Sequence, residues 1–220
     1  MTGRERPVRV FIVDDHPLVR EWLAALLREQ PDLTISGQAE ESGAALAEML
    51  GAPPDIAIVD LSLKGGSGLD LIKDLADRLP TVRAIVLSMH EEVFYAERAL
   101  RAGARGYVMK RESTGQIVAA IRQVNAGKIY GDPDLLAALA ERIVGRPAEG
   151  APIHESLSDR ELEVFRRLGE GHSTRRIADD LRISLKTVQT YCVRIREKLG
   201  LADGAELVRA AVRWTAEAGR

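Results

Sequence analysis

From Val8 to about Ala126, short β-branched runs alternate with stretches whose apolar residues recur every three or four positions. Val8 to Val13 reads as a strand closed by Asp14-Asp15. Val19, Trp22, Leu23, Leu26 and Leu27 then mark one helical stripe. A strand-like Leu33 to Ala39 precedes a weaker helix around Ala44 to Leu50. Ile56 to Asp60 reads as a buried strand, and Leu69, Ile72, Ala76 and Leu79 as the stripe of the helix after it. Ala84 to Ser88 is a fourth strand and Gly106 to Met109 a short fifth. Behind Ser113-x-x-Gln116, a capping-box pattern, a helix carries Ile117, Ala120, Ile121 and Val124.

Strands that alternate with helices imply a parallel sheet covered on both faces. Right-handed crossovers place the loops that follow the strands on one edge, where such sheets bind ligands. Four polar signals fall there: Asp14-Asp15, Asp60, Ser88 and Lys110. Past Gly127 the pattern changes. Asp132 to Val144 has the makings of a short helix, and Gly145 to Pro152, rich in Gly, Pro and Ala, reads as linker. From Leu157 onward no strand-like run occurs, and four helical segments are separated by turns. The expected organisation is an α/β domain over residues 7–127, a partly helical linker over 128–154 and an all-α domain over 155–220.

Charge sharpens that division. The whole chain of 220 residues carries a net −2, which by itself argues against a nucleic-acid binder. The average misleads: Ile153 to Arg220 holds 13 basic and 11 acidic residues, while the remainder is net −4. Between Ser173 and Lys198, 7 basic residues face 3 acidic ones, the electrostatic footprint of a surface for a phosphate backbone. A single cysteine, Cys192, excludes an intramolecular disulfide and a cysteine-rich metal site. No apolar run is long enough to span a membrane, and Met1 to Pro7 lacks the apolar core of a secretory signal. The compartment expected is a reducing cytoplasm.

Three carboxylates at two neighbouring strand ends repel one another unless a cation stands among them. Mg²⁺, a hard ion that takes carboxylate, phosphate and water oxygens, suits that place. A lysine and a hydroxyl on adjacent strands would complete a site for a transferring phosphoryl group, with Asp60 as nucleophile. His16 and His90 have no metal-ligand spacing to another His or Cys and are assigned no role. The segments VFIVDDH (Val10 to His16), IAIVDLSLKGGSGLDLI (Ile56 to Ile72), AIVLSMH (Ala84 to His90) and GARGYVMK (Gly103 to Lys110) stand in order, each at a strand end. Together they make residues 8–126 resemble the receiver domain of two-component response regulators. The resemblance implies a flavodoxin-like, doubly wound five-stranded sheet. It implies Asp60 as phosphoacceptor, and Mg²⁺ held by Asp15, by Asp14 mainly through water, by Asp60 and by the backbone carbonyl of Ser62. Lys110 would contact the phosphoryl group, and Ser88 and Tyr107 would form a switch pair. Lys64-Gly65-Gly66 departs from the pattern, since many receivers carry a proline there.

In the second domain, Ser158-x-x-Glu161 opens a helix with Leu162, Phe165 and Leu168 on one face. Thr174 to Leu181 is a second helix, with Ile177, Ala178 and Leu181 inward, and Arg182-Ile183-Ser184 makes the turn. The third helix, about Leu185 to Leu199, has Val188, Cys192, Ile195 and Leu199 on its inward stripe, which makes Cys192 a small core residue. Two helices joined by a tight turn fit a helix-turn-helix, whose second helix enters the major groove. Leu157 to Leu201 resembles the LuxR/NarL/FixJ-type DNA-binding domain, in the spacing of Glu161, Gly171, Ile177, Ala178, Leu181, Ser184, Thr187, Val188 and Lys198-Leu199. Ser173-Thr174 departs from the Asn-Lys or Ser-Asn common there. Base-facing candidates are Gln189, Thr190 and Val193; phosphate-facing candidates are Lys186, Thr187, Tyr191, Arg194 and Lys198. Asp203-x-x-Glu206 caps a last helix with two apolar stripes, Leu207-Ala211-Trp214 and Val208-Val212-Thr215. One stripe docks on the domain; the other invites a second copy.

The two resemblances imply a transcription factor, not an enzyme, phosphorylated at Asp60 by a sensor histidine kinase and bound to double-stranded promoter DNA as a homodimer through its last helix. Two alternatives stand beside it. One is an atypical regulator that uses the fold without phosphorylation. The other is a phosphohydrolase with an aspartyl-phosphate intermediate, whose usual second Asp, two residues after the nucleophile, is here Ser62.

Overall fold

The computed structural model describes residues 6–61, 63, 67–89, 93–111, 113–144, 156–181 and 183–218. The chain divides into two units, Met1–Val144 and Gly145–Arg220.

In the first unit, five parallel strands form one sheet in the order β2-β1-β3-β4-β5. They are β1 (Val8–Val13), β2 (Leu33–Ala39), β3 (Ile56–Asp60), β4 (Arg83–Ser88) and β5 (Gly106–Met109). The strand order reverses direction beside β1, so the crevice outside the ends of β1 and β3 is the topological switch point. The connecting helices are α1 (Pro17–Arg28), α2 (Ser42–Gly51), α3 (Gly68–Arg78), α4 (Val93–Arg101) and α5 (Thr114–Asn125), followed by α6 (Pro133–Val144). Helix α4 has no counterpart among the stripes picked out along the sequence. Among its described side chains, Tyr95, Ala96, Glu97 and Ala99 are buried.

β3 is buried at every position, as a central parallel strand must be. Val10, Ile12, Ile56, Ile58, Ile85, Leu87 and Val108 form one core with α1 and α5. Each large side chain there contributes roughly 1.5–3 kcal/mol by leaving water. The α5 capping box forms, with the Ser113 N–H donating to Gln116 Oε1 at 2.9 Å. Two irregularities mark the outer strands. The β1–β2 register slips between Val10 and Phe11, which leaves Ser36 as an extra residue on β2. On the other side Tyr130 bridges to Gly106, and its carbonyl accepts the Tyr107 N–H at 3.0 Å.

The second unit is helical throughout its described residues: α7 (Asp159–Gly169), α8 (Thr174–Asp180), α9 (Leu185–Leu199) and α10 (Gly204–Ala218). Serines cap three of them, Ser158, Ser173 and Ser184, each accepting a backbone N–H three residues on. Leu162, Val164, Phe165, Ile177, Val188, Ile195, Leu207, Ala211 and Trp214 make the core, with the Phe165 and Trp214 rings 5.7 Å apart. α7 and α10 approach so closely at Gly169 that a Cβ there would overlap Thr215 Oγ1 and the Ala211 carbonyl. Of the two stripes on α10, Leu207, Ala211 and Trp214 face inward, while Val208 and Val212 are exposed. Among the described residues, no helix is long and apolar enough to cross a membrane.

Candidate functional site

Because the strands are parallel, their carboxyl ends share one edge, and the first polar residue after each hydrophobic run lands there. Asp14 and Asp15 follow β1, Asp60 and Ser88 end β3 and β4, and Lys110 follows β5. The sheet register sets their depth: Asp60 lies level with Leu87, and Ser88 with Met109. Asp14, Asp15, Asp60 and Ser88 are all buried.

Lys110 ties the edge together. Its Nζ lies 2.7 Å from Asp60 Oδ2 and 2.8 Å from Asp14 Oδ2, and its side chain is only 9% exposed. Burial works against the ammonium, but Asp60 and Asp14 outweigh it and hold Lys110 above the usual lysine range. Its backbone N–H donates to the Ser88 carbonyl at 2.7 Å, which fixes where the side chain starts.

Three carboxylates against one ammonium leave the edge negative. Two like charges 4 Å apart repel by about 4 kcal/mol at an effective dielectric near 20. The oxygens of Asp14, Asp15 and Asp60, with His16, lie within 4.8 Å of one another. This buried set of oxygen donors fits a hard divalent cation.

His16 joins the cluster, contrary to the sequence reading that gave it no role. Its Nδ1 lies 2.8 Å from Asp15 Oδ1, 3.2 Å from Asp14 Oδ1 and 4.0 Å from Asp60 Oδ2. Asp14 Oδ1 also accepts the His16 backbone N–H at 2.8 Å. The spacing rule looked for a second His or Cys, whereas the partners are the two residues just before it. His16 is also the N-cap of α1, with no side-chain cap bond, and Pro17 opens the helix.

Gly68 carries no signal in the sequence pattern. At the first position of α3 its N–H donates to the Leu61 carbonyl at 3.1 Å, and a Cβ there would overlap the Asp60 carbonyl oxygen. Only a glycine lets α3 start this close to the end of β3. Tyr107 is buried within β5, level with Val86. Ser62, Lys64-Gly65-Gly66 and His90 lie outside the described residues.

In the second unit α8 and α9 form the expected pair, while Arg182 of the turn lies outside the described residues. α9 buries Val188 and Ile195; Cys192 and Leu199, assigned to the same stripe, are half-buried. Burial pushes the Cys192 thiol up, so it is a poor nucleophile. Lys186, Gln189, Thr190, Val193 and Arg194 are exposed, and Thr187 and Tyr191 half-buried. Thr187 Oγ1 is 2.7 Å from Ser184 Oγ, and Thr190 Oγ1 donates to the Lys186 carbonyl at 2.9 Å. Lys198 stands apart. Its Nζ lies 2.6 Å from Oε2 of buried Glu161, the oxygen that also accepts the Ser158 N–H at 2.7 Å. Burial works to raise the Glu161 carboxyl, but Lys198 and the Ser158 donors together hold it below the usual glutamate range.

Comparison with known proteins separates the same two units. Residues 10–122 match the family model of the response regulator receiver domain, and residues 155–211 that of bacterial regulatory proteins of the luxR family. The chain is 35% identical over 194 residues to the DNA-binding transcriptional activator DevR/DosR of Mycobacterium tuberculosis, covering 88% of this chain and 89% of that one. It is 34% identical over 206 residues to the response regulator GacA of Pseudomonas aeruginosa, covering 94% and 96%. Among solved structures it is similar to RcsB from Salmonella enterica serovar Typhimurium bound to a promoter in the presence of phosphomimetic BeF3⁻. That match has 27% identity, a TM-score of 0.56, and covers 93% of this chain and 97% of that one.

Proposed function

This chain belongs to the LuxR-family two-component response regulators, and from that premise we propose that Asp60 is its phosphoacceptor and the outward face of α9 its reader of promoter DNA. It is a DNA-binding response regulator, of a family of transcription regulators rather than phosphohydrolases. The observation that carries the phosphoacceptor assignment is the Lys110 ammonium held between Asp14 and Asp60 at the buried edge of the sheet.

A histidine kinase is the donor that a receiver domain implies. The phosphorus–nitrogen bond of its phosphohistidine breaks as a bond forms from phosphorus to an Asp60 carboxylate oxygen. Lys110, already 2.7 Å from Asp60 Oδ2, offsets the charge on the incoming phosphoryl oxygens. Asp14, Asp15 and Asp60, with the Ser62 carbonyl, would hold Mg²⁺, which when bound neutralises phosphoryl charge. The product adds charge and acceptor oxygens to the edge. Ser88, one residue beyond the level of Asp60, would donate its hydroxyl to them, and buried Tyr107 would be its partner in the switch. Such packing changes are two-state and bias a distant surface.

On α9, Gln189, Thr190 and Val193 would face base edges, and Lys186, Thr187, Tyr191 and Arg194 phosphates. Lys198 belongs to the phosphate set on the helix face, with its ammonium shared with Glu161. The exposed Val208 and Val212 of α10 would pair with a second copy on DNA. Sedimentation at saturating operator checks this, and one copy per site refutes it.

Asp60→Asn is expected to abolish Mg²⁺-dependent labelling by a small phosphodonor such as acetyl phosphate. Undiminished labelling refutes the assignment.

A further inference from the structure

We infer that His16 is a fourth side-chain ligand at the acidic edge, making it a mixed nitrogen–oxygen site that favours first-row transition dications over Mg²⁺ more strongly than carboxylates alone would. The inference rests on the proposed reading of Asp14, Asp15 and Asp60 as metal ligands. Donor atoms about 2.1 Å from a shared ion stand roughly 3.0 Å apart when adjacent and about 4.2 Å apart when opposite. His16 Nδ1 lies 2.8 Å from Asp15 Oδ1, 3.2 Å from Asp14 Oδ1 and 4.0 Å from Asp60 Oδ2, two adjacent spacings and one near-opposite. The same distances suit hydrogen bonds from a ring N–H. The proton on Nδ1 and a cation are rivals for one position, and a neutral ring protonated on Nε2 offers Nδ1 as donor.

The backbone holds the ring in place. The His16 N–H is bonded to Asp14 Oδ1, and the proline that follows starts α1, so the imidazole stays beside the carboxylates. Half of the side chain remains exposed, which makes its replacement harmless to the core. An imidazole nitrogen gains little from Mg²⁺, which prefers oxygen, and much from Ni²⁺ or Zn²⁺, for which imidazole is a well-suited ligand.

The test uses the full-length chain and its His16→Asn and Asp15→Asn variants, titrated calorimetrically with Mg²⁺ and with Ni²⁺. Only Ni²⁺ that excess Mg²⁺ displaces is counted, which excludes binding at other histidines. The ratio of Ni²⁺ to Mg²⁺ affinity is expected to fall by about tenfold or more in His16→Asn, within the range that loss of a metal-site partner produces. A smaller fall, or a parallel loss of both ions, overturns the inference. In wild type, Zn²⁺ should move the ¹⁵N resonance of His16 Nδ1 as direct coordination does; an unmoved resonance likewise overturns it. Asp15→Asn separates the two levels: if Mg²⁺ binding survives undiminished there, the acidic-site reading itself has failed.

Discussion

The carboxyl edge of the sheet and the outward face of α9 are both polar, yet they differ in who answers their charges. At the edge the three carboxylates are buried and the one ammonium is answered from within, Lys110 lying between Asp14 and Asp60. On α9, Lys186, Gln189 and Arg194 point into solvent, and only Lys198, at the far end, is tied back to the fold. The first arrangement is a strained internal balance that one added charge can tip. The second is an open surface whose partners come from outside. Substitutions should therefore register as stability and phosphorylation at the edge, and as affinity and specificity on the helix.

The largest departure is expected from Lys110→Ala. Removing the ammonium strands buried carboxylates, at a cost of about 3–5 kcal/mol in urea unfolding with chelator present, with part of the loss restored by excess Mg²⁺. Because the folded-state lysine titrates above its ordinary 10.5, its contribution is complete below that value and disappears only as pH rises through the elevated one. Wild type and variant should thus converge only in strong alkali. Next comes Gly169→Ala, where the overlap with α10 should cost about 1–3 kcal/mol by thermal unfolding while labelling of Asp60 stays normal.

On the exposed face, Gln189→Ala should lose about 1–3 kcal/mol of discrimination between operator and mutated operators. Arg194→Ala should instead weaken all sequences alike and lower the salt slope by about one. Competition binding at several salt concentrations distinguishes the two; equal effects from both would erase the contrast between base and phosphate contacts. The smallest effect belongs to the Glu161–Lys198 pair, about 1 kcal/mol or less because the lysine is partly exposed. Glu161 titrates below its ordinary 4.5, so its contribution is present above that value and lost as pH falls through the lower one. Lys198→Ala and wild type should differ in thermal stability at neutral pH and converge in acid.

The strands were legible because Val, Ile and Leu runs this apolar have nowhere to go but a sheet covered on both faces, and the residue ending each run then had to share one edge. Three serine or aspartate caps, Ser113, Ser158 and Asp203, were equally open, since a cap and its partner sit three residues apart. Other features depended on packing between distant segments. That the Lys198 ammonium is shared with Glu161 shows only when α7 brings that glutamate against it from 37 residues away. His16 was hidden by a rule that asks for nitrogen or sulfur partners, and Gly68 by the fact that a missing side chain shows its purpose only beside what it would strike.

The slipped pairing on β2 and the Tyr130 strap beside β5 have an effect on how copies can meet. A flank that bulges, and another whose Tyr107 N–H is already engaged, make poor templates for an incoming strand from a neighbour. The sheet is thus guarded against growing from chain to chain into ribbons, and association is left to helical surfaces, where contact can be made and undone without touching the backbone ladder.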